Sequence, residues 1–247
     1  MPVEKNSQQW YTVKKQKRID FMKYENIVQG EFVERPNRFI ARVIINGNIE
    51  TVHVKNTGRC KELLIKGRTV YLSRAANPER KTKYDLIAVD KDGLLINMDS
   101  QIPNGAAEEW LRKVNVFSEN AVIRREVTYG KSRFDLYIED GDKRAFMEVK
   151  GVTLENDGVV MFPDAPTERG VKHIRELMTC IKNGYEAYIL FVIQMNGVKF
   201  FCPNYKTHPE FAAALKEAAE AGVKVLAVEC DVARDSIEIS RRVEIKL

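Results

Sequence analysis

Asp135, Glu148 and Lys150 bring two carboxylates and an ammonium together within sixteen residues of a 247-residue chain. These groups can hold a hard divalent cation and neutralise a phosphate. Gly141-Asp142 between them reads as a two-residue hairpin loop of type II′, because glycine holds the first central position. Pairing outward sets Asp140 against Lys143, Glu139 against Arg144 and Ile138 against Ala145. It continues with Leu136 against Met147, Asp135 against Glu148, Phe134 against Val149, and Arg133 against Lys150. Side chains alternate between faces, so Phe134, Leu136, Ile138, Ala145, Met147 and Val149 make one apolar face. Asp135, Glu148 and Lys150 share the other, and the apolar face fixes the register. Carboxylates directly opposed at about 5 Å between Cβ atoms repel and destabilise a sheet. A divalent cation, Mg²⁺ or Mn²⁺ for oxygen ligands, offsets that repulsion. Lys150 then stands where it can orient an attacking water or neutralise charge on a scissile phosphate. The competing reading is an exposed hairpin edge whose acids pair with Lys131, Arg133 and Lys150.

The flanking segments must position this hairpin. A helix around residues 106–115, containing Glu108 and Glu109, precedes strands at 121–129, 133–140 and 144–151. A helix over 167–184 follows, with Val171, Ile174, Leu177/Met178 and Ile181 at helical spacing and Gly184 placed as its C-terminal cap. Strands at 185–194 and 198–203, a helix at 209–222 and a strand at 223–230 complete a mixed α/β unit. The near-continuous apolar run at 186–193 marks a central strand covered on both faces.

The first half reads differently. Strands at 26–35, 38–46 and 48–55, with an Asn46-Gly47 hairpin turn, lead to a short helical stretch at 60–67 and strands at 68–75, 84–90 and 93–98. That order predicts a small OB-like barrel, with a generic β-sandwich as the alternative. The expected organisation is an α+β chain in two parts. Residues 1–95 form a basic, OB-like, nucleic-acid-binding domain, and residues 96–247 a mixed α/β domain.

Charge divides the same way. Residues 1–95 hold 19 Lys/Arg against 11 Asp/Glu, a net +8, and residues 96–247 hold 21 against 24, a net −3. A basic half suggests that this part meets a polyanion, although charge alone favours an ordinary solvated surface. The cluster Lys14, Lys15, Lys17 and Arg18 adds to it. Arg59, which caps nothing and closes no turn in Asn56-Thr57-Gly58-Arg59, is a candidate nucleic-acid contact. So are Arg133 beside the hairpin and Arg169 and Lys172 on the following helix, whereas His173 reads as structural more readily than as a general base. Four scattered cysteines without a C-x-x-C pair, and three histidines, argue against a zinc cluster or a disulfide framework. No apolar run approaches the roughly 20 residues that span a bilayer, and the polar N-terminus lacks a signal core, so a cytoplasmic location is expected.

The spacing D-x(12)-E-x-K at Asp135, Glu148 and Lys150 resembles the core of the PD-(D/E)XK nuclease superfamily, with Phe134 in place of the literal proline. Four blocks resemble the sugar fermentation stimulation protein A family: 53–60 with the KELL that follows, a block ending at Asn104, a block ending at Asp135, and 148–177. That resemblance implies an OB-like domain fused to a PD-(D/E)XK-like domain, with DNA binding as the recurrent activity. It makes Glu109 the extra helical carboxylate, so that Glu109, Asp135 and Glu148 would hold the metal and Lys150 would position the water. The expected function is DNA binding with metal-dependent phosphodiester hydrolysis. The alternative is a non-enzymatic DNA-binding regulator of sugar metabolism genes. A sugar-metabolising enzyme is disfavoured, because no phosphate-cradling glycine loop is present.

Overall fold

The computed structural model describes residues 22–114 and 116–247, so the Lys14–Arg18 cluster lies outside the described residues. Strand β1 (Met22–Lys23) precedes a run of β2 (Ile27–Asn37), β3 (Ile40–Ile45), β4 (Asn48–Val54), β5 (Thr69–Arg74), β6 (Tyr84–Lys91) and β7 (Leu94–Asn97). Positive φ at Asn46 and Gly47 turns β3 directly into β4, as the Asn-Gly pair predicted. The sheet order is β4-β3-β2-β5-β6-β7, and a parallel pairing of β4 with β6 closes five of these strands into a barrel. Closure satisfies the edges that an open sheet would expose. The helix expected over 60–67 does not form; the segment is a series of tight turns. Cys60, at φ 45°, is left-handed at the first residue of the segment, and the single turn that follows cannot offset the cost of helix nucleation.

The second unit opens with α1 (Ile102–Lys113) and then β8 (Val122–Tyr129), β9 (Ser132–Asp140), β10 (Lys143–Val152), β11 (Leu154–Asn156) and β12 (Val159–Phe162). It continues with α2 (Glu168–Lys182), β13 (Glu186–Ile193), β14 (Phe200–Pro203), α3 (Pro209–Glu220), β15 (Lys224–Val232), β16 (Ser236–Arg242) and β17 (Glu244–Ile245). A seven-stranded sheet runs β1-β16-β15-β13-β10-β9-β8, with β10, β13 and β15 parallel at its centre. Strand β13 is buried almost throughout, as its apolar run predicted. Of a second sheet, β11-β12-β14-β17, only β14 was expected, as the strand at 198–203; β11, β12 and β17 run from two to four residues, too short for period-2 patterning to register.

Helix α1 packs Ile102, Ala106, Ala107, Trp110 and Leu111 against Leu136, Ile138, Ala145, Met147 and Val149 on one sheet face. On the other face α2 places Val171, Ile174, Leu177 and Cys180 in a cluster with Phe134, Phe146 and Phe191. The Thr167 hydroxyl caps α2 by accepting the Gly170 N–H at 3.0 Å. At its far end Gly184, at φ 81°, donates its N–H to the Ile181 carbonyl.

Polar contacts tie the barrel to the larger sheet. Lys55 Nζ meets Asp99 Oδ2 at 2.8 Å, and Ser100 Oγ donates to the Lys55 carbonyl at 2.8 Å. Buried Gln194 donates to Asn97 Oδ1 at 2.9 Å, and the Arg59 N–H donates to Asp164 Oδ2 at 3.0 Å. Among the described residues no helix is long and apolar enough to cross a membrane.

Candidate functional site

The hairpin forms in the expected register from Asp140–Lys143 to Leu136–Met147, with Gly141 at φ 61° in the turn. Beyond that pair the prediction fails in an instructive way. The Val149 N–H donates to Asp135 Oδ2 at 2.8 Å, so a side chain replaces the next rung and β9 leaves the ladder. The pleat shifts there. Phe134 does not join Leu136 and Ile138 beneath α1; it turns to the α2 face, with its ring 5.4 Å from Phe146 and 6.1 Å from His173.

Asp135 and Glu148 remain neighbours, although they are not a cross-strand pair. Asp135 Oδ1 accepts from Asn104 Nδ2, in the first turn of α1, at 2.8 Å. Burial, and then the charge of Glu148, push the Asp135 carboxyl above its ordinary range. Glu148 is 2% exposed. Its Oε1 accepts from Lys150 Nζ at 2.5 Å and from His173 Nδ1. Burial alone would raise this carboxyl; the His173 bond and the Lys150 ammonium outweigh it and hold the group below the usual range. Glu148 Oε2 is buried and has no partner among the described residues. Leaving such an oxygen unsatisfied costs at least about 1–3 kcal/mol, and more for a charged group.

Glu109 does not join them. It pairs with Lys113 at 2.6 Å, and Lys113 also meets Glu238 of β16 at 2.7 Å. The reason is helical phase. Asn104 faces Asp135, and five residues further on the helix has turned roughly 140° past a whole turn. No group of three ligating side chains built on Asp135 and Glu148 has its donor atoms within 4.8 Å of one another among the described residues.

The four cationic candidates, Arg59, Arg133, Arg169 and Lys172, are all exposed. Arg169 Nε donates to His173 Nε2 at 3.4 Å, and Lys172 Nζ donates to the Lys131 carbonyl at 2.6 Å. Arg133 is exposed, 3.5 Å from Glu126. Arg59 lines a cleft of about 270 Å³ with Arg35, Arg38 and Lys61, on the loop that touches Asp164 ahead of α2. Arg35 is spent inside this loop, donating to the carbonyls of Arg38, Asn56, Gly58 and Arg59. Phe39, 44% exposed, lies under the Arg38 guanidinium at 4.7 Å.

A second group, Glu168, His208 and Glu210, brings its donor atoms within 4.8 Å at the starts of α2 and α3. His208 Nδ1 accepts the Thr167 N–H at 3.3 Å, which leaves the ring proton of the neutral form on Nε2, the nitrogen facing Glu168 at 3.6 Å. In that form Nε2 carries the ring proton and has no lone pair for a metal.

Sequence reasoning missed Asn104 as a partner of Asp135 and His173 as a partner of Glu148. The signal for His173 was present: Ile174 and Leu177 fix the apolar stripe of α2, and His173, one position before Ile174, is carried inward with it.

Two family models match the chain. The SfsA N-terminal OB domain matches residues 33–98, and the sugar fermentation stimulation protein RE domain matches residues 101–236. A sugar fermentation stimulation protein homolog of Clostridium beijerinckii is 57% identical over 226 residues, covering 92% of this chain and 100% of the relative. A homolog of Desulfitobacterium hafniense is likewise 57% identical, over 92% of this chain and 99% of its own. Among solved structures, Pyrococcus furiosus SfsA, described in complex with Ca²⁺, matches with TM-score 0.81 and 31% identity over 92% of this chain and 99% of that one. With both domains matched and relatives aligned over almost their whole length, the chain belongs to the sugar fermentation stimulation protein family.

Proposed function

We propose that this protein binds DNA and hydrolyses phosphodiester bonds with a divalent cation held by Asp135 and Glu148. The observation that carries the reading is Glu148 Oε2, buried and without a partner among the described residues, beside a second, half-buried carboxylate, Asp135. Two carboxylates are hard oxygen donors and fit Mg²⁺ or Mn²⁺. The Pyrococcus furiosus relative, described with Ca²⁺, is a protein of this family with an oxygen-seeking cation. A cation so held would supply positive charge at a scissile phosphate. Lys150, bonded to Glu148, stands beside it and adds its own charge as negative charge develops on the phosphate oxygens. Arg169, Lys172 and Arg133 line the approach to the hairpin as phosphate contacts, and Arg59, Arg38 and Lys61 extend the basic surface onto the barrel. The PD-(D/E)XK likeness of the second unit and a cytoplasmic location belong to the same proposal.

One observation favours the second reading, a DNA-binding regulator without catalysis. Glu109 is turned away, so two carboxylates stand where the expected set had three. Incubating the protein with duplex and single-stranded DNA in Mg²⁺, Mn²⁺ or EDTA separates the two. Metal-dependent cleavage supports the nuclease, and binding without cleavage in either metal supports the regulator.

A further inference from the structure

Glu148 has two partners on Oε1, Lys150 from its own strand and His173 from α2, and among the described residues none on Oε2. The imidazole is 4% exposed and lies between Glu148 and Arg169. Its protonation pattern follows from what it touches. A carboxylate oxygen only accepts, so Nδ1 carries a hydrogen and donates it to Glu148 Oε1. An arginine Nε–H only donates, so Nε2 keeps its lone pair and accepts it at 3.4 Å. Both constraints select the same neutral tautomer, and together they leave the ring one orientation. The ring edge against Phe134, with centroids 6.1 Å apart, holds the plane from a third side. Phe134 reaches that place because β9 leaves its ladder at Asp135.

Arg169 is exposed on the first turn of α2. Only its Nε is committed; among the described residues its two terminal nitrogens have no partner, so they can meet a phosphate while Nε holds His173. A continuous line of donors therefore runs from a guanidinium at the surface, through a buried imidazole, to one oxygen of a buried carboxylate.

We infer that His173 is a positioning residue that fixes Glu148 by Oε1 so that Oε2 faces the cation, and that Arg169 sets the orientation of His173. The inference rests on the cation reading of Asp135 and Glu148 and goes beyond it by naming what aims the ligand. It assigns His173 no proton transfer and no direct contact with metal. Residues that orient a metal ligand in this way typically change metal affinity about 10- to 100-fold when removed.

The test is calorimetric titration of Mn²⁺ into the full chain, with melting temperature recorded for every variant. His173→Phe keeps the ring against Phe134 and removes the donor; Mn²⁺ affinity should fall about 10-fold or more. His173→Asn restores an N–H donor near the position of Nδ1 and should recover most of that loss. A purely structural role would not give such recovery at equal melting temperature. Arg169→Ala, at an exposed position, should weaken Mn²⁺ a few-fold, and it carries the test if His173→Phe fails to fold. Affinity unchanged in a folded His173→Phe, or in Arg169→Ala where that variant stands in, overturns the inference. A His173→Asn protein as weak as a folded His173→Phe overturns it too. Both leave the cation reading standing. If wild type and Glu148→Gln are alike in taking up no Mn²⁺, the cation reading fails and this role fails with it.

Discussion

At the residue scale, the proposed chemistry rests on two neighbouring carboxylates, the buried Glu148 and the half-buried Asp135. Asp135 accepts one hydrogen bond on each oxygen, from Asn104 on one and from the Val149 N–H on the other, and keeps a lone pair on both. Glu148 is bonded on one oxygen alone. The asymmetry gives Glu148 the open coordination position and makes it the residue whose loss a bound metal would feel most. Millimolar Mn²⁺ should raise the melting temperature of the wild type. At a hundred times its dissociation constant, a ligand adds about 2.7 kcal/mol, which for a chain of this size is a shift of roughly 5–10 °C. Glu148→Gln should abolish that response, because the amide is neutral and a poorer ligand. A variant stabilised by Mn²⁺ as much as the wild type would place the cation elsewhere.

At the scale of elements, the site depends on a strand that stops pairing where it is needed. The hairpin's register was legible because apolar residues on one face pin it, and the prediction held as far as Leu136–Met147. It failed at Phe134 because alternation assumes a backbone partner at every rung, and there the Asp135 carboxylate takes the N–H instead. The helix α2 was legible from its stripe and its Gly184 cap. The helical stretch at 60–67 was misread because propensity is blind to the left-handed Cys60. Helical phase, which no motif spacing carries across a loop, decided that Asn104 and not Glu109 faces Asp135. The junction between barrel and sheet was equally hidden, since it is made of polar residues far apart in sequence. Asp85 lies within the barrel and adjoins this junction through Lys55, which also holds Asp99: burial pushes its carboxyl up, but bonds from Arg80 and His53 and the charge of Lys55 hold it below the ordinary range. A carboxyl whose folded value is lowered contributes stability above its unfolded value, near 3.9, and loses it as pH falls through the folded value. Asp85→Asn should therefore cost on the order of 2–4 kcal/mol at pH 7 and flatten the loss of stability below pH 4. Denaturant melts between pH 2.5 and 7 check both effects, and a variant as stable as its parent would remove Asp85 from the junction.

Across the whole molecule, both units contribute exposed cations. Arg59 and Lys61 come from the barrel loop that touches Asp164, and Arg169 and Lys172 from the helix just beyond it. A charged surface of this kind binds DNA mainly through released counterions, so log affinity should fall linearly with log salt, by about 0.9 per phosphate contacted. Arg59→Ala and Arg169→Ala should each reduce the slope by about one contact, with little dependence on DNA sequence. Anisotropy titrations with a labelled duplex across a salt series measure this directly. Slopes identical to wild type would take both arginines off the DNA path.

The central claim is catalysis at Asp135, Glu148 and Lys150, and Lys150→Ala tests it most directly. Single-turnover cleavage of duplex and single-stranded DNA in Mn²⁺ should be followed for wild type and variant, with binding isotherms beside it. Lys150 is not a metal ligand in this account, so Mn²⁺ and DNA binding should survive with the loss of one charge contact. Cleavage should fall by a factor on the order of 10²–10³, the usual effect of removing one electrostatic stabiliser of a transition state. A variant that cuts as fast as wild type would contradict the role of Lys150, and a wild type that binds every DNA form and cuts none would contradict the account itself.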